Sequence, residues 1–138
     1  MIDHNVVKGL SRVYSKEIMA SDAGSLMGRD MLDFLISTPT IIHMIIESSC
    51  ELLDHLLPKG YVTVGRYLEI SHERPTLVGE KISLLLKVEN VDEDKIFLEF
   101  EVSDSHNIIC KGKYLRLIVN KEKLVETAYS RSTQTLKK

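Results

Sequence analysis

Apolar residues recur at helical spacing in one stretch of this chain and at alternate positions in most of the others. Between Ser37 and Leu57 (STPTIIHMIIESSCELLDHLL), Ile41, Ile42, Ile45, Ile46, Leu52, Leu53, Leu56 and Leu57 gather on one side of a helical wheel. His43, Glu47, Glu51 and Asp54 gather on the other. The pattern predicts a single helix of about 19 residues, deeply packed because its apolar side is wide. Thr38 is placed to be the N-cap, with Pro39 at the first helical position, where a missing N–H costs nothing. Pro58, Lys59 and Gly60 stop the helix. Ser49 sits within the apolar side, small enough to let a neighbour approach the backbone closely.

Elsewhere the period is two, the mark of half-buried strands. Leu10 to Met19 reads as a strand with Val13 and Ile18 pointing inward. Tyr61 to His72 is a second strand, with Gly65 inside it as the mark of a bulge or of a ligand's close approach. Glu80 to Val91, Ile96 to Asp104 and Ile108 to Val119 are three more, the last with Gly112 as a candidate bulge. In the fourth, Ile96, Leu98, Phe100 and Val102 share one face. Asp92 to Lys95 is a charged hairpin turn. Ser21 to Gly28 reads as a loop, and Met31 to Ile36 as either a short helix or a lid-like loop. A short helix is expected between Asn120 and Tyr129. Residues 1–129 are expected to form one domain and 130–138 a frayed polar tail.

Strands joined by short turns are antiparallel neighbours, and their sheet must bury one face against the only long helix. The expected class is therefore α+β: a hotdog fold, a curved antiparallel sheet wrapped around one long central helix. Such a sheet leaves edge strands open, and edge-to-edge pairing of two copies removes that liability, so a homodimer or higher homo-oligomer is expected.

Composition narrows the partners. The chain has 138 residues and a formal charge of −2, with no basic face for nucleic acid. Aromatic residues are 6% of the chain, with no Trp, so base-stacking platforms are not expected either. Cys50 and Cys110 read as small buried thiols in a reducing compartment. The first ten residues do not resemble a signal peptide, and no window reaches the ~18 apolar residues of a membrane span. The expected location is cytoplasmic, away from membranes.

Residues 37–39 (STP), the helix behind them, 62–65 (VTVG), 70–76 (ISHERPT) and Gly79 together resemble the fluoroacetyl-CoA thioesterase-like family of hotdog proteins. The resemblance spans roughly residues 10 to 120 and is strongest in the ungapped block from Thr38 to Gly79. It implies a dimer acting on acyl-CoA thioesters at a site on the dimer interface, with a threonine, a glutamate and a histidine as the working groups. By position, Thr38 matches the threonine, His72 the histidine, and Gly65 a glycine bordering the substrate carbonyl. The glutamate's position falls on Ile46, which becomes a substrate-contacting residue, and Glu47 is the adjacent acid. No cofactor is implied, since CoA is part of the substrate.

Each candidate also has a plainer role. Thr38 serves as a cap or as a hydroxyl at the reaction centre. His72 is a surface histidine or a general base. Glu47 is a solvated acid four residues from His43, or the missing catalytic acid. No third ligand follows the His43–Glu47 pair at metal spacing, so no metal site is expected. Arg66, Arg74, Lys111 and Lys113 are candidates for holding CoA. Two functions follow: a short acyl-CoA thioesterase, or a non-catalytic acyl-CoA or small-ligand binding protein that has lost the family's glutamate.

Overall fold

The computed structural model describes residues 2–23 and 34–136. In order they form β1 (Ser11–Glu17), a one-turn 3-10 helix (Ala20–Asp22), α1 (Thr38–Leu53), a second 3-10 turn (Asp54–Leu56), β2 (Tyr61–His72), β3 (Lys81–Asp92), β4 (Lys95–Ser103), β5 (Ile108–Asn120) and α2 (Lys121–Leu136). The five strands make one antiparallel sheet in the order β1-β3-β4-β5-β2. Most of the expected loop at Ser21–Gly28 and the first half of Met31–Ile36 lie outside the described residues. From the second half, Leu35 bridges to Leu77 and Ile36 to Ala23.

Alternation builds the core. Ile82, Leu84, Leu86 and Val88 of β3 and Ile96, Leu98, Phe100 and Val102 of β4 are buried on one face. Against them α1 lays Ile41, Met44, Ile45, Ser48, Ser49, Leu52 and Leu53. This is the expected face rotated slightly, which leaves Ile42 half-buried and Ile46 exposed. Ser49 lies at the centre of the contact, its hydroxyl donating to the Ile45 carbonyl at 2.7 Å.

Four expectations need correction. Val13 is 60% exposed: it pairs with Leu85 on the outer face, and its neighbour Tyr14 pairs with buried Leu84. A one-residue slip in a period of two exchanges the faces of a strand. Gly112 is not a bulge, for it pairs in regular register with both Ile70 and Phe100. A side chain there would meet the Glu69 carbonyl and the Phe100 ring. The α-helix ends at Leu53, before Pro58, because Asp54 caps it and sends its carboxylate to β2. Finally, the C-terminal helix is longer than expected, running unbroken through Tyr129, and Leu124, Val125 and Tyr129 on it are exposed.

The strand β2 positions everything that follows. It is hydrogen-bonded to β5 on one side and is the sheet's edge on the other. Its register shifts between Gly65 and Tyr67, so Gly65 marks a β-bulge as expected, with Arg66 the extra residue.

Candidate functional site

The first turn of α1 assigns its caps differently from the sequence expectation. Ser37, in extended conformation, is the N-cap, and its hydroxyl accepts from the Thr40 N–H at 3.3 Å. The Ser37 and Thr40 hydroxyls share a further hydrogen bond of 2.8 Å. Ser37 itself is anchored by donating its N–H to the Asp22 carbonyl at 2.8 Å, and the Asp22 carboxylate is held by the Met19 N–H and Lys16. Thr38 therefore sits one position inside the helix, and its hydroxyl is released from capping.

That hydroxyl reaches the end of β2. Thr38 Oγ1 and His72 Nδ1 are 2.8 Å apart, in one hydrogen bond whose direction follows the tautomer. The other ring nitrogen, Nε2, is buried and has no partner among the described residues. Burial lowers the His72 pKa from its ordinary value of 6.5, and a weaker interaction with the Arg74 backbone opposes this. The imidazole is thus neutral at neutral pH, the state in which it accepts a proton. The pair can withdraw a proton from a hydroxyl at a half-buried helix terminus. The helix end offers few backbone donors of its own. Pro39 has no N–H, Thr40 gives its N–H to Ser37 Oγ, and Ile41 gives its N–H to the Ser37 carbonyl.

The other expected site residues lie elsewhere in the protomer. Glu47 is nine residues along α1, about 13 Å in rise from Thr38. It is on the solvent side, with its carboxylate 3.5 Å from His43 Nε2. Ile46 and Gly65 both line an open groove of about 520 Å³ beside β2, whose lining also includes Arg66, Tyr114 and Arg116. A Cβ at Gly65 would run into the Tyr114 hydroxyl, so glycine is required there by the packing of this chain alone. Of the suggested CoA-binding residues, Arg74 donates to the Ile108 carbonyl and Lys111 lies 3.8 Å from Glu73. No group of three or more metal-ligating side chains occurs among the described residues. Nor is any described helix long and apolar enough to cross a membrane.

Beneath the groove is a polar network absent from the sequence expectations. Arg116 is 3% exposed. Its Nε donates to Thr63 Oγ1 at 2.9 Å, its Nη2 to the Thr63 carbonyl at 2.7 Å and to Cys50 Sγ at 3.3 Å, and its Nη1 to the Tyr114 hydroxyl at 2.7 Å. Thr63 in turn donates its hydroxyl to Asp54 Oδ1 at 2.6 Å and its N–H to the same oxygen at 3.2 Å. Asp54, expected on the polar side of the helix, thus ties α1 to β2. The signal available in the sequence was an arginine on the inward face of an alternating strand, between Tyr114 and Ile118. The two thiols are protonated: burial raises the pKa of both, that of Cys110 to about 12.

Comparison with known proteins places the fold and the family. The structure superposes on a hot-dog-like protein from Thermanaerovibrio acidaminovorans with a TM-score of 0.84 at 25% identity, covering 90% of this chain and 91% of that one. A mutant of the fluoroacetyl-CoA-specific thioesterase FlK gives 0.84 at 11% identity over 92% and 98% of the two chains. A thioesterase superfamily member from Thermus thermophilus gives 0.81 at 15% identity over 96% and 97%. The fold is the hotdog fold. No curated protein sequence matches the chain. Residues 13–122 match the family model described as fluoroacetyl-CoA-specific thioesterase, and the chain belongs to that family.

Proposed function

We propose that the protein is an acyl-CoA thioesterase that hydrolyses a short acyl-CoA thioester at a site shared by two protomers. The observation that carries this reading is the 2.8 Å hydrogen bond between Thr38 Oγ1 and the neutral imidazole of His72. His72 takes the proton of the attacking hydroxyl, that of Thr38 or of a water beside it, as oxygen bonds to the thioester carbon. When the C–S bond breaks, the proton passes to the departing CoA sulfur. Where Thr38 is the nucleophile, a water then attacks the acyl-threonine ester, and His72 takes the water's proton and returns it to Thr38 Oγ1 as the free acid leaves. The N-terminal dipole of α1 favours the negative oxygen that forms in between.

A second protomer completes the site in this reading. Among the described residues β2 presents an unpaired edge of 12 residues, which invites antiparallel pairing with another copy. A two-fold axis between Leu68 and Glu69 would bring His72 near the partner's Gly65, the extra residue Arg66 offsetting the match by one position. The groove beside Gly65 would then flank the Thr38–His72 pair of the other subunit. Within one protomer Gly65 and His72 are seven residues apart, about 23 Å along an extended strand, too far for one short acyl group to touch both.

The test is acyl-CoA hydrolysis by the wild type and His72→Ala, with mass measurement in solution. Turnover by a dimer, lost in the variant, is expected; full activity in the variant overturns the role of His72. One observation favours a second reading. Ile46 stands where the family resemblance expects an acid, and Glu47 faces solvent beside His43. A non-catalytic acyl-CoA or small-ligand binding protein fits that arrangement, and binding without turnover would select it.

A further inference from the structure

Arg116 is a buried guanidinium whose recorded contacts are all neutral. They are the hydroxyl and carbonyl of Thr63, the hydroxyl of Tyr114 and the sulfur of Cys50, and that thiol stays protonated because burial raises its pKa. Among the described residues it forms no ion pair. The acid of its network, Asp54, is one hydroxyl removed, with Thr63 between them. A charge withdrawn from water without a counter-ion is costly, and proteins normally pair it. Nor are the donors exhausted. A guanidinium carries five N–H protons, of which the recorded contacts use four, leaving one on Nη1. The Tyr114 hydroxyl accepts from Arg116, and its own proton has no acceptor among the described residues. Both side chains line the groove between Ile46 and Gly65. Exposed Arg66 adds positive charge to the groove's lining, and Ile46 adds none.

We propose that this groove is an anion site in which Arg116 and Tyr114 together bind a carboxylate on the acyl portion of the substrate, so that the preferred ester is that of a short dicarboxylic acid. Two donors side by side suit the two oxygens of a carboxylate, and the guanidinium supplies the charge. Donation from Arg116 to the Tyr114 oxygen makes the tyrosine proton a better donor toward the anion. The assignment rests on the thioesterase reading, in which the groove flanks the partner's His72.

The experiment compares succinyl-CoA with butyryl-CoA, of equal chain length, for both turnover and binding. Free succinate and inorganic phosphate serve as competitors. Wild-type protein should favour succinyl-CoA by about tenfold or more in kcat/KM, close to 1.4 kcal/mol. Arg116→Met should abolish the preference. Because that variant removes a buried network and can fail to fold, Ile46→Glu is the second arm. It changes an exposed residue and sets a carboxylate in the lining that Arg116 shares, so it should also erase the preference. Equal use of the two esters by the wild type overturns the proposal. So does a preference that survives Ile46→Glu. If neither ester turns over, the thioesterase reading fails but the anion site is still decided by binding. A succinyl-CoA affinity that exceeds that of butyryl-CoA and falls in Ile46→Glu upholds it, and equal affinities overturn it. Competition by phosphate together with equal ester affinities would place a phosphate in the groove and overturn the acyl assignment.

Discussion

The two halves of β2 carry polar groups into the body of the protein on opposite terms. Near its start, Thr63 joins Asp54 on α1 to Arg116 on β5 through a chain of hydrogen bonds, with a charge at each end and a hydroxyl that both donates and accepts between them. At its far end, His72 makes one side-chain hydrogen bond, to Thr38, and its buried Nε2 has no partner among the described residues. The first arrangement fastens helix to sheet. The second holds a neutral base against a hydroxyl, with hydrogen-bonding capacity to spare. The Thr63 hydroxyl is satisfied as both donor and acceptor and so resists change, whereas a group left short of partners is ready to engage a substrate.

The comparison breaks most directly at His72. His72→Ala should lower acyl-CoA hydrolysis by about 100-fold or more with little loss of stability, since a positioned general base contributes at least that much. Steady-state kinetics beside a thermal melt check both halves. Thr63→Val should act on stability, removing about 2 kcal/mol of it by leaving Arg116 Nε without its acceptor. Urea titration measures this, and an unchanged midpoint would show that the network is not the fastening it resembles. Ser37→Ala should cost about 1 kcal/mol through the lost cap and also weaken turnover, because Thr38 then competes for the capping role.

Proton linkage supplies a smaller effect. The folded-state pKa of His72 lies below 6.5, so the unfolded chain binds a proton there before the folded one does. Stability from this residue is complete above pH 6.5 and is lost as the pH falls from there through the depressed value. Urea midpoints at pH 7.5 and pH 5 should therefore differ less in His72→Gln than in the wild type. The smallest effect belongs to Glu47→Gln. An exposed pair of this kind is worth under about 0.5 kcal/mol. A large fall in kcat in that variant would instead restore Glu47 as the catalytic acid.

Much of the architecture was legible from spacing. Ile96, Leu98, Phe100 and Val102 alternate so cleanly that their shared burial followed, and the Gly65 bulge was signalled by a glycine inside a β-branched run. The strand at Val13 was harder to orient. In SRVYSKE the inward positions are Arg12, Tyr14 and Lys16, so polarity gives no reliable guide to the face. Thr38 and His72 were found through a motif resemblance. Their contact spans 34 positions, and no local pattern reports it. Arg116 reads in one dimension as another strand arginine, and its burial arises only when Thr63 and Tyr114 close around it.

By itself the sequence determined one long helix, five strands and an antiparallel sheet that must cover that helix, and its resemblance to a family singled out two residues that the fold brings into contact. Local periodicity and breaker residues carry that information because backbone geometry dictates which side chains share a face. Only the tertiary structure decided that Ser37 and not Thr38 caps the helix, that Glu47 faces solvent, and that an arginine lies buried among neutral donors and acceptors. Those outcomes depend on the rotation of α1 against the sheet and on hydrogen bonds between strands far apart in sequence. Packing sets such relations after the elements have formed.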